Sequence, residues 1–186
     1  MIRFLMLGTA AALLLSAPVR ADEITDTLNG AIEAYEAGDV QCAIEELDYA
    51  RQKLMEMKTE ALGGYLPPAP EGWSREIGTE ANAGLAMMGG GVGAEAEYVS
   101  PEGESYSLTL MADNPMVASM APMIMNASAM GLKMERIARQ KFAVQDGQLM
   151  GLVANRILVQ LEGPDLDTGK SLLETMDFDA LAAFGS

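Results

Sequence analysis

The chain has 186 residues, 12 Lys+Arg against 27 Asp+Glu, a formal charge of −15 and 49% apolar residues. That balance argues against nucleic acid and anionic lipid as partners, because both need cationic patches. With no histidine and one cysteine, Cys42, the chain lacks Ser-His-Asp and Cys-His nucleophile pairs, imidazole metal sites and any intramolecular disulfide.

Residues 1–21 read as a cleaved secretory signal peptide. Arg3 supplies the positive start, Phe4 to Leu15 the apolar stretch, and Val19-Arg20-Ala21 a small-x-small cleavage site. That stretch of 12 residues falls short of the roughly 20 that a membrane-crossing helix needs. No cysteine follows closely, so a lipid anchor is not supported. Cleavage after Ala21 predicts a periplasmic chain from Asp22, with no membrane span and a charge of −17 once Arg3 and Arg20 are gone.

Residues 22–64 predict a helical hairpin. Ile24, Leu28, Ala31, Ile32 and Tyr35 repeat at helical spacing until Gly38-Asp39 breaks the run. Asp39 is placed to cap a second helix, on one side of which fall Val40, Ala43, Ile44, Leu47, Ala50, Arg51 and Leu54. Gly63-Gly64 ends it. The stretch AYEAGDVQCAIEELDYA (34–50) resembles a single tetratricopeptide-type hairpin, without that motif's large aromatic at the start of the first helix. One such repeat cannot bury its own apolar face. It must lean on the rest of the chain, the commoner arrangement, or on another protein. The face around Tyr35, Cys42 and Tyr49 is the expected place for a protein partner in the envelope. Cys42 lies about 200° around the helix from Val40, beside Tyr49 and off the main apolar stripe.

YLPPAPEGW (65–73) predicts a stiff Pro-rich linker ending at the only tryptophan, Trp73, as an anchor for the next core. From residue 74 the period changes to that of strands. Short strands are expected at 73–77, 94–100, 105–113, 135–138, 141–145, 149–155 and 156–163, with helices over 169–176 and 177–184. The expected class for 74–186 is an α+β sandwich: an antiparallel sheet packed with helices on one or both faces.

LPPAPEGW, the glycine-rich turn at 89–95, the alternating hairpin, a helix, further strands and the closing LLETMDFDALA together resemble a group of exported proteobacterial proteins of unknown function. The order of strands and helices is similar to PsbP/Mog1-like modules. The resemblance implies the fold and the exported location. It carries no site residue.

Seven of the 15 methionines lie between Met111 and Met134. Met116, Met120, Met123, Ala127, Met130 and Met134 repeat at 4-3-4-3-4, as one helix face would, with Asn114-Pro115 as start and Gly131 as stop. Pro122 interrupts or kinks the segment. Thioethers select Cu(I), so Met116, Met120 and Met123 define an alternative reading as a soft-metal site with Cu(I) as cofactor. Packing is the stronger reading, because no charge falls between Asp113 and Lys133 and methionine fills irregular core gaps.

GGGVGAE (89–95) lacks the G-x-G-x-x-G spacing of a dinucleotide loop. GPDLDTGKS (163–171) misses the phosphate-loop spacing by one residue, and its calcium-loop likeness fails at Thr168 and Glu174. Asp165 or Asp167 capping a helix explains the run. A carboxylate pair could serve a hydrolase, yet 27 acids give no basis for choosing two. The expected role is a non-catalytic periplasmic accessory or interaction protein, with no catalytic residue and no cofactor assigned.

Overall fold

The structure is a computed structural model and describes residues 20–78, 85 and 90–185. The signal-peptide reading lies outside the described residues, apart from Arg20 and Ala21. The chain divides into two units, one running through Lys53 and one from Leu54 onward.

The first unit is an antiparallel hairpin of α1 (Arg20–Glu36) and the first turns of α2 (Val40–Gly63). Gly38 turns the chain at φ +82°, where a side chain would be strained. The Asp39 carboxylate then accepts from the Cys42 backbone N–H at 3.1 Å, satisfying one of the donors a helix start leaves unpaired. Small residues close the hairpin. Ala31, Ala43 and Ala50 are its buried side chains.

The second unit is an α+β fold on one seven-stranded antiparallel sheet, ordered β1-β2-β3-β7-β6-β5-β4. Its strands are β1 (Ser74–Gly78), β2 (Val92–Val99), β3 (Ser105–Ala112), β4 (Lys133–Ile137), β5 (Gln140–Gln145), β6 (Gln148–Val153) and β7 (Ile157–Glu162). Strand alternation sends Tyr106, Leu108 and Leu110 to one face with Val159 and Leu161. There α4 (Leu166–Glu174) and α5 (Phe178–Ala182) cover them with Leu172, Leu173, Phe178 and Leu181. Asp165 and Asp177 cap these two helices. The opposite face carries a smaller cluster of Met150 and Leu158, under Val117 and Ile124 of α3 (Pro115–Met125).

The Pro-rich segment is fastened to the sheet. Leu66 joins the main core, and the Pro67 carbonyl accepts from the Tyr98 hydroxyl at 2.7 Å and from Arg75 at 2.8 Å. Trp73 packs on that core with its ring 5.2 Å from Tyr106.

The methionine run departs from the expected single face. α3 stops at Met125, well before Gly131, and Met134 belongs to β4. The reason is local. The Asn126 side chain donates to the Pro122 carbonyl at 2.7 Å and its backbone N–H does so at 3.1 Å, closing the helix. Only Met116, Met120 and Met123 of the periodic run share it.

Candidate functional site

Hairpin geometry follows from which residues sit next to the buried alanines. Ile32 follows Ala31 and Ile44 follows Ala43, each about +100° around its helix. In antiparallel helices the same rotational sense leads to the same side of the pair. Leu28, Ile32 and Tyr35 of α1 therefore share a face with Val40, Ile44 and Leu47 of α2. Each set is spaced i, i+4, i+7. All six are exposed, Tyr35 by 69%, Val40 by 57% and Ile32 by 56%.

Residues that precede the alanines fall on the other side. Gly30 lies there against Glu46, 3.8 Å from where a Cβ would stand. Cys42 and Tyr49 lie there too. The Tyr49 hydroxyl donates to Glu23 Oε1 at 2.7 Å, and Lys53 stands 5.6 Å from its ring centroid. The expected trio is thus split. Cys42 and Tyr49 share one side, and Tyr35, about 120° from Glu23 around α1, belongs to the apolar side. Burial, then Asp39, Glu46 and Glu45, hold the Cys42 thiol above its usual pKa, which disfavours the thiolate that nucleophilic or metal chemistry needs.

α3 starts at Asn114, whose side chain accepts from the Met116 N–H at 2.7 Å, with Pro115 in the first turn. Met120 packs on the small cluster with Met111 and Leu152. Met116 and Met123 are half-buried and Met125 is 65% exposed. Met120 is half-buried as well, so the three candidate ligands are alike in exposure along one side of α3. One of them is engaged with the sheet.

The sheet face carrying β2 residues Glu95 and Glu97 forms an open concavity of about 460 Å³ with Ser105, Ser107, Asp146 and Glu162. Ser107 donates to Glu95 at 2.9 Å and Gln148 to Glu162 at 2.9 Å. Such a surface can attract cations. A second open concavity of about 500 Å³ runs between the β4–β5 turn and the start of α5, lined by Arg139, Gln140, Asp177 and Asp179. Among the described residues no three Cys, Asp or Glu side chains are placed to hold a metal ion, and no helix is long and apolar enough to cross a membrane.

The exposed apolar face is the feature that counting periodicity misses. The stripe residues are legible in the sequence, and their exposure is not. The available signal was that small residues, at 31, 43 and 50, occupy the positions that bring the helices together. Comparison with protein families, curated proteins and solved structures finds no match for this chain.

Proposed function

We propose that this is a non-catalytic accessory protein of the bacterial periplasm that acts by binding another protein through its N-terminal hairpin. One observation carries the reading: six large apolar side chains, Leu28, Ile32, Tyr35, Val40, Ile44 and Leu47, stand exposed on one side of two helices. Isolated exposed apolar residues need no explanation, whereas a contiguous patch rimmed by polar residues marks an interaction surface. The leader-like start and the acidic composition support export and solubility, and the sheet unit serves as the folded body that carries the hairpin.

The test is photocrosslinking in intact cells with a benzophenone amino acid at position 44, and at exposed Gln145 at the end of β5 as control. A discrete adduct from position 44 that the control does not give supports the reading. No adduct, or the same adducts from both positions, sinks it.

A further inference from the structure

We infer that the occupant of the hairpin face is a cationic amphipathic helix of a partner protein. The inference rests on the interaction role proposed above and adds the partner's chemistry.

Backbone chemistry excludes a strand. Both helices satisfy their N–H and C=O groups internally, so the face offers side chains and no unpaired ladder for an extended peptide. What it offers instead is two apolar rows, each with i, i+4, i+7 spacing, and the groove between two such rows accepts the ridge of a third helix. A helix with apolar anchors three and four apart is the complementary shape.

Charge selects among helices. Between Asp22 and Lys53 stand nine carboxylates and two cations, Arg51 and Lys53, a net of −7. Glu36 follows Ile32 by one turn and Asp48 follows Ile44 by one turn, so an exposed carboxylate borders each apolar row on its outer edge. Glu33 and Glu45 extend the same edges, and all four are exposed. A second copy of this chain would set acid rim against acid rim, which is repulsive. An anionic lipid surface meets the same repulsion. Lys or Arg on the borders of the incoming helix removes the conflict and speeds encounter.

The test uses the full mature chain and three synthetic 18-residue helical peptides. All share one Leu/Ile stripe and differ only in carrying Lys, Gln or Glu at the bordering positions. Fluorescence anisotropy at 50 mM and 300 mM NaCl is measured for wild type, for Ile44→Ser/Leu47→Ser, and for Glu33→Gln/Glu36→Gln/Glu45→Gln/Asp48→Asn. The expected result is tenfold or tighter binding of the Lys peptide over the Gln peptide, no binding of the Glu peptide, and a several-fold loss at the higher salt. Both variants should lose most of the Lys-peptide binding.

If the Gln peptide binds as tightly as the Lys peptide and only the apolar variant loses it, the hairpin is an interaction face and the cationic inference falls. If the Lys peptide binds the apolar variant unchanged, it is adhering to the acidic surface at large, and the inference falls too. Dimerisation of the free chain, abolished by the apolar variant in sedimentation, would make a second copy the occupant and overturn it. Crosslinking at position 44 reports separately on whether any partner exists.

Discussion

At the scale of single residues, the close approaches in the sheet unit set the most direct tests. A Cβ on Gly151 would stand 2.5 Å from Cε1 of Phe142, whose ring is held edge-on to Phe178 at 5.9 Å. Gly151→Ala is expected to cost about 1–3 kcal/mol through overpacking, read as a lower urea midpoint in Trp73 fluorescence. Gly30→Ala should behave oppositely. Its methyl meets only Glu46 at an ordinary 3.8 Å, and a helix interior favours Ala over Gly by about 0.5–1 kcal/mol. Far-ultraviolet circular dichroism should show equal or greater helicity at elevated temperature. Asp113 provides the pH-dependent case. Burial works against its charge, but hydrogen bonds from Lys58 at 2.8 Å and from Arg156 at 3.2 Å more than offset this and hold its pKa below the usual carboxylate value. Arg156 also donates to the Phe184 carbonyl at 2.6 Å, so the carboxylate helps to steady the turn that follows α5. A depressed folded pKa means stability that is present above the unfolded value of about 3.9 and is lost as pH falls through the folded one. Asp113→Asn keeps a residue tolerant of its φ of +55°. It should destabilise by up to about 1 kcal/mol at pH 7, discounted because the pair is over a third exposed. That difference should shrink as pH falls below the usual carboxylate range, because the folded pKa is depressed. A constant difference across that range would remove the ion pair from the account.

At the scale of elements, what was legible in the sequence and what was not divide by mechanism. Strand positions were legible because alternation such as Tyr106, Leu108 and Leu110 belongs to a half-buried strand and to little else. Helix starts were legible because Asp39, Asn114 and Asp177 carry the capping chemistry in their own side chains. The end of α3 was not, since the 4-3 spacing of apolar residues continues past Pro122 whether or not the backbone hydrogen bonds do. The hairpin's exposed face was half legible. Apolar period identifies Ile32 and Ile44 as a stripe, yet the smaller Ala31 and Ala43 beside them are what let two helices approach, and closeness decides burial. Substitutions on α3 separate its two kinds of methionine. Met120 packs in the small cluster, so Met120→Ala should cost about 2 kcal/mol, the low end for a core methionine because the side chain is half-buried. Met125→Ala, at a side chain 65% exposed, should stay within about 0.5 kcal/mol. Chemical denaturation of both variants checks the pair, and equal costs would mean that α3 is held by something other than its sheet-facing side.

At the scale of the whole molecule, charge is the property that reaches everywhere. The chain from Asp22 onward carries 27 carboxylates and, without Arg3 and Arg20, 10 cations. The excess is built into the sheet, where Glu76 stands directly opposite Glu97 across β1 and β2, and Glu95 and Glu97 line the same concavity as Glu162. Like charges directly opposite on neighbouring strands oppose pairing, and a net charge this far from zero makes the folded state repel itself. Added salt should therefore stabilise this protein. At 0.02 M the repulsion extends over roughly 20 Å, and at 0.5 M over only about 4 Å. Relief of about 1 kcal/mol would raise Tm by about 2–4 °C for a chain of this size. The measurement is calorimetry of the mature chain in sodium chloride, with Glu97→Gln as the comparison. The variant should start with the higher Tm at low salt and gain less from added salt, because part of the repulsion has been removed by substitution. A Tm that falls with salt in both proteins would mean that ion pairs such as Lys58–Asp113 and Lys170–Glu135 outweigh the excess charge. The acidic surface would then be a stabilising network, with no electrostatic cost for a partner to relieve.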